Sequence, residues 1–318
     1  MSDGPPGRPK RMLGSMLGRL FGGRAAANIG SGSYDDTYSR RMDEPLQAAA
    51  TALTETPLVS VVMTCHDTAR YLDGAVGSIL RQSWNRLELV VVDDASQDDS
   101  VERLHELGAA DGRLRVIQLT SNVGTYRAKN IGIRSARGEV VTFMDSDDIS
   151  HPERIEQQLD LLREPGVVAT TCNYTRLTSS GEVVMNRGRR ERRALISLMI
   201  KQKVIGDIGW FDSVRTSADD EFLERIRQVY GDHALANVDS ALYFALNREN
   251  SLSTSAGAVV DISVDEHVQG SPLSAMRQAY VSSYRDWHAR LKSEGMRPYM
   301  PHTLTDGRPF PADPRLTV

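Results

Sequence analysis

Val140-Val141-Thr142-Phe143-Met144-Asp145-Ser146-Asp147-Asp148 is the stretch on which the reading of this chain turns. Its first five residues are apolar or β-branched, the length and composition of a buried strand. A strand with no polar face belongs in a sheet covered on both sides, as parallel sheets are. The run then breaks into three acids around one serine. In an open α/β sheet, the crevice beyond the carboxyl ends of the strands is where ligands sit.

Working outward, strand-length apolar runs alternate with helical patterns on both sides of this stretch. Strands are expected at Leu58–Met63, Leu87–Val92, Leu114–Leu119, Val140–Met144, Val167–Cys172 and Ala241–Leu246. Between them, Leu72, Ala75, Val76, Ile79 and Leu80 keep helical spacing, as do Val101, Leu104 and Leu107, and Ile155, Leu159 and Leu162. A helix after Asn122-Val123-Gly124 is expected to end at Gly138 as a left-handed cap, another to begin at Pro152, and another to run from about Asp219 to Tyr230. Such alternation predicts βαβ units and a mostly parallel, Rossmann-like α/β sheet flanked by helices.

Residues 1–56 are rich in Gly, Ala, Ser, Pro and Arg and read as a flexible leader. The stretch Arg11 to Phe21 mixes basic and apolar residues as a peripheral membrane helix does; its glycines and short length favour a disordered leader instead. The folded domain is expected over 57–255, with a nucleotide lobe at 57–175 and an acceptor lobe at 176–255. Residues 256–318, with Tyr280, Tyr284 and Trp287, read as a helical tail packed on the second lobe.

The chain has 318 residues, with 38 Lys and Arg against 42 Asp and Glu, a formal net charge of −4. That balance speaks against a nucleic-acid partner. Cys65 and Cys172 lie in apolar runs without ligand-like neighbours, so neither a disulfide framework nor a zinc site is expected. No run approaches the ~18 to 20 apolar residues that span a bilayer, and a cytoplasmic protein is expected.

The chemistry gathers at two strand ends. Asp93-Asp94 closes one strand, and Asp145, Asp147 and Asp148 close another. Carboxylates brought together raise one another's pKa unless a cation compensates. Mg²⁺ and Mn²⁺ take oxygen ligands and are commonly held by one or two carboxylates together with substrate phosphates. Asp145 and Asp147 are therefore the candidate metal ligands, while Asp148 serves equally well as a helix-start residue ahead of Pro152.

These segments carry a resemblance. Val59 to Asp67, Val91-Val92-Asp93-Asp94-Ala95-Ser96, Asn122-Val123-Gly124 through Ala128-Lys129-Asn130-Ile131-Gly132, and Gly138-Glu139 through Asp148 resemble, in order, the inverting family-two glycosyltransferases of the GT-A fold. The resemblance implies transfer of a sugar from a nucleotide diphosphate, a UDP-sugar favoured, to a hydroxyl of a saccharide or lipid-linked acceptor, with Mn²⁺ or Mg²⁺. It places Thr64, His66, Asp67, Asp93 and Asp94 at the nucleoside, and Lys129, where the family usually has Arg, toward the phosphates. Asp145 and Ser146 fall at the nucleotide sugar and Asp147 at the metal. Asp67 stands where the family usually has Asn.

Aligned on Arg225, Asp219 takes the place of the family's catalytic acid, with Ala218 replacing the Glu before it and Glu221 next in line as base. Trp210 and Phe211 fit a sugar platform or a core filler equally. The basic run Arg187, Arg189, Arg190, Arg192 and Arg193 reads as a solvated face. Arg248 to Ser253 resembles a late family segment near the diphosphate. Rival readings are a nucleotidylyltransferase, although Thr64 to Thr68 lacks the Gly-rich basic loop of that class, a phospho-acceptor module, and a nucleotide-sugar binder without turnover.

Overall fold

The computed structural model describes residues 53–185, 188–247, 272–304 and 307–317. The leader segment Arg11 to Phe21, Arg187 and the Arg248–Ser253 segment lie outside them.

Four parallel strands form the first half of the sheet: β1 (Val59–Cys65), β2 (Leu87–Asp93), β3 (Leu114–Gln118) and β4 (Val140–Asp145). The sheet continues with β5 (Ile149–Ser150), β6 (Ala169–Leu177), β7 (Val183–Val184), β8 (Glu191–Lys201) and β9 (Leu235–Leu246). The strand order is β3-β2-β1-β4-β8-β6-β9-β5, with β7 on β6. Between β1 and β4 the order reverses, the place where flanking loops part and leave a crevice. Register sets Thr64 of β1 beside Asp145 of β4, and Cys65 beside Asp93 of β2.

Around the sheet lie α1 (Leu72–Leu80), α2 (Ser100–Ala110), α3 (Thr125–Ser135), α4 (Arg154–Leu162), α5 (Lys203–Ile208), α6 (Ala218–Tyr230) and α7 (Pro272–Ser293). Alternation along β1 feeds both faces. Val59, Val61 and Met63 pack with Leu72, Ile79, Ile155 and Leu159, whereas Val62 packs on the other side with Ile133, Phe222, Tyr280 and Tyr284. Full burial of each such aliphatic side chain contributes roughly 1.5–3 kcal/mol. Cys65 and Cys172 are both buried free thiols.

Several local expectations are revised. The α3 helix ends at Ser135 with extended Ala136, so Gly138 is not its cap. A Cβ on Gly138 would lie 2.5 Å from the Leu58 carbonyl oxygen, so glycine is needed there for close approach, not for a left-handed turn. The α4 helix starts at Arg154, two residues after Pro152. Part of the basic run is strand, because β8 begins at Glu191 and includes Arg192 and Arg193. β9 reaches back to Leu235, well before the expected Ala241. Thr54, ahead of Pro57, is already tied to the domain, its N–H and hydroxyl donating to Glu139 at 2.9 and 2.6 Å.

The second half is closed from the chain's far end. Gly209 forms a parallel bridge with Met300 and Val214 an antiparallel one with Thr317. At Gly209, φ is +80° and a Cβ would stand 2.0 Å from the Met300 carbonyl oxygen, so no other residue fits. Among the described residues no helix is long and apolar enough to cross a membrane.

Candidate active site

Besides the turn that ends β4, the site is built from three loops, each holding one non-glycine residue at positive φ: Asp67 at 51°, Ala95 at 61° and Ser217 at 69°. They follow β1, follow β2 and precede α6. Such conformations persist only where surrounding contacts over-determine them, and they concentrate at functional sites.

The first two loops are stitched together. The Asp67 N–H donates to Ser96 Oγ at 3.0 Å, and the Gln97 N–H donates to Asp67 Oδ1 at 2.7 Å. Ser96 in turn donates to Asp93 through both hydroxyl and N–H. Asp93 is fully buried and organises this turn. Asp94 accepts the Val123 and Gly124 N–H groups at 2.6 and 2.9 Å, tying β2 to the entrance of α3. Burial raises the Asp94 carboxyl above its usual range, against the pull of those two amides and His66. The paired acids thus hold backbone, while His66 and Asp67, with side chains 45% and 47% exposed, stand at the rim.

At the end of β4 the acids divide by role. Ser146 is buried and exchanges a 2.8 Å hydrogen bond with Thr68, anchoring the loop to the β1 turn. Asp148 is buried too, and accepts from Tyr243 Oη and the Leu246 N–H, both at 2.8 Å. Burial, then Asp147 and Asp145, push its carboxyl well above the usual range. Its place is to clamp β9 under the loop, which is not the helix start expected for it. Asp145 and Asp147 remain half-exposed. Lys129, itself buried, places its ammonium 3.7 Å from Asp145 Oδ1 and over the rings of Tyr126 and Phe143 at 5.3 and 6.0 Å. Thr64 meets Thr125 of α3 at 3.2 Å.

Among the described residues no group of three or more His, Cys, Asp or Glu side chains is arranged to hold a metal ion by itself. Asp145 and Asp147 are nevertheless hard oxygen donors, half-exposed on one turn, a set that suits a Mg²⁺ or Mn²⁺ ion completing its sphere with phosphate and water.

The third loop brings Asp219 to the same region. Its Oδ1 accepts from Tyr126 Oη at 2.9 Å and from the Asp220 N–H at 3.0 Å. Asp145 and Asp219 both act electrostatically on the Tyr126 hydroxyl. Glu221, two residues on, is fully buried instead. It forms a bidentate pair with Arg225 at 2.7 and 2.8 Å and meets His288 Nε2 at 3.2 Å. Burial alone raises its carboxyl, but Arg225 and His288 outweigh that and bring it below the ordinary value. Ala218 is buried in the apolar cluster with Phe222.

Trp210 and Phe211 fill the core. Phe211 stacks on Phe222 at 4.4 Å and meets Phe143 edge-on, while Asn130 holds the Phe211 backbone by two hydrogen bonds. Arg189 and Arg190 are exposed, whereas Arg192 and Arg193 are half-buried, Arg193 donating to Thr171 at 2.7 Å. Tyr126 and Tyr243 were missed by sequence reasoning. Each left a signal: a tyrosine inside a buried element needs a partner for its hydroxyl, and Tyr126 lies one helical turn before Lys129.

The family model described as Glycosyl transferase family 2 matches residues 60–223, which span all three loops. This chain belongs to glycosyl transferase family 2. An uncharacterised glycosyltransferase of Haemophilus influenzae is 35% identical over 118 residues, 37% of this chain and 47% of that protein. Glycosyltransferase GlyG of Streptococcus pneumoniae serotype 4 is 37% identical over 117 residues, 37% of this chain and 39% of that protein. This family-2 chain spans about half or less of the length of these relatives. TarS residues 1–349 from S. aureus, solved in complex with UDP-GlcNAc, superposes with a TM-score of 0.51 at 22% identity, covering 62% of this chain and 61% of that one. The fold is GT-A.

Proposed function

We propose that this chain transfers a sugar from a nucleotide diphosphate to an acceptor hydroxyl by a single inverting displacement. One observation carries the reading: the half-exposed Asp145–Asp147 turn and Asp219 are joined through Lys129 and Tyr126, so an acid suited to metal and diphosphate faces a second acid suited to a proton. The nucleoside lies against Thr64, His66 and Asp67, on a rim organised by Asp93 and Asp94. Asp147, with Asp145, holds Mn²⁺ or Mg²⁺, which when bound neutralises charge on the departing diphosphate. Lys129 compensates Asp145 from beneath. Ser146 fixes the loop.

Asp219 accepts the acceptor proton as the new bond forms at the anomeric carbon and the bond to the diphosphate breaks. Glu221 is the weaker candidate, because a carboxylate locked between Arg225 and His288 has no route to an acceptor. Ala218 does not weaken the reading: a side chain buried there looks into the core. The acceptor is a saccharide or lipid-linked hydroxyl, and TarS makes UDP-sugars the first donors to try.

The test is release of nucleoside diphosphate from a panel of nucleotide sugars with a saccharide acceptor. Asp219→Asn should lower turnover at least ~10²-fold with donor affinity nearly unchanged. Near-normal turnover in that variant removes Asp219 from the mechanism.

A further inference from the structure

Asp219 stands on the first turn of α6, directly after the left-handed Ser217. An aspartate there has two side-chain rotors and a half-exposed position, so something must fix it for proton transfer. Both hydrogen bonds it receives fall on Oδ1, one from the Asp220 N–H and one from the Tyr126 phenol. Neither of these bonds uses Oδ2. The phenol is itself immobile. Tyr126 is buried and its ring packs on Phe211 at 5.7 Å, which in turn stacks on Phe222 of α6.

We propose that Tyr126 is the positioning residue for the base, holding one oxygen of Asp219 so that the other meets the acceptor hydroxyl. The inference rests on the reading of Asp219 as base. Burial, and then the neighbouring Asp219 charge, push the Tyr126 hydroxyl far above its ordinary range, so it remains a donor throughout the working range. One turn along α3, Lys129 contacts Asp145. A single helix therefore sets both the donor-side acid and the acceptor-side acid, and the first turn of α3 fixes their separation.

Tyr126→Phe keeps the ring packing and removes only the hydroxyl. A hydrogen bond to a charged group is worth about 1.5–3 kcal/mol, so kcat should fall about 10- to 100-fold. The donor KM should stay within about twofold, because the group acts on the base alone. The decisive arm is the double variant: adding Tyr126→Phe to Asp219→Asn should cost nothing further, since the phenol acts through that carboxylate. Unchanged kcat in Tyr126→Phe, while Asp219→Asn is crippled, overturns the positioning role and leaves the base standing. An equal loss on the Asp219→Asn background also overturns it, by showing an independent effect. Near-normal turnover in Asp219→Asn sinks the reading beneath and this inference with it.

Discussion

The nucleotide-side rim and the acceptor-side helix are held in place by different means. Around β1, β2 and β4, acids and hydroxyls tie neighbouring loops of the family segment to one another: Asp94 to Val123 and Gly124, Asp93 to Ser96, Ser146 to Thr68. Around α6, the tethers come from side chains of one later helix. Tyr284 donates to Asp220 at 2.7 Å, Tyr280 to Asp212 at 3.0 Å, Arg277 to Thr216 at 2.9 Å, and His288 meets Glu221. All four reach from α7, which lies beyond the matched residues 60–223. The proposed donor side is thus held by ties inside the family segment, whereas the helix that carries the proposed base is tethered at its other residues by a helix beyond that segment. Lesions in the two regions should therefore separate.

The largest effect is expected at Glu221 and Arg225, fully buried and paired. Arg225→Met leaves a buried carboxylate with His288 alone beside it and should cost about 3–5 kcal/mol by chemical denaturation. Pairing it with Glu221→Leu should recover most of that loss, because a charge-free pair of similar volume avoids the desolvation penalty. The pair also sets a pH dependence. The Glu221 carboxyl is held below its ordinary value, so its contribution is present above that value and lost as pH falls through the lower, folded-state one. Stability of the wild type should drop in that acidic window, and the double variant should lack this component.

A smaller effect is expected from Tyr284→Phe, which removes the hydroxyl that reaches Asp220. It should cost about 1 kcal/mol of stability and lower turnover while leaving nucleotide affinity intact. If calorimetry showed nucleotide affinity falling in step with turnover, the two regions would not be separable as described.

The same contrast explains what could be read from sequence. The strands and the Asp-x-Asp turn were legible because a parallel sheet forces apolar runs and leaves acids at their ends, so Val140 to Asp147 carries its own address. The Gly138 assignment failed because a glycine needed for close approach to Leu58 looks, in sequence, like one needed for a left-handed cap. Which acids face a ligand was not legible either. Asp145, Asp147 and Asp148 are equivalent as letters, and only Tyr243, about a hundred residues later in sequence, takes Asp148 out of the cleft. Glu221 was offered beside Asp219 for the same reason: its burial depends on Arg225 and on His288 of α7. Trp210 and Phe211 stayed open between platform and core until their ring contacts were known.

The most direct test of the central claim is calorimetric titration of UDP and other nucleoside diphosphates into wild type and Asp147→Ala, with and without Mn²⁺. Asp147 is half-exposed, so the variant should keep its fold. The wild type should bind a nucleoside diphosphate more tightly with Mn²⁺ present, and Asp147→Ala should lose that metal-dependent increment entirely. An unchanged metal-dependent affinity in the variant would contradict the assignment of this rim as the nucleotide diphosphate site.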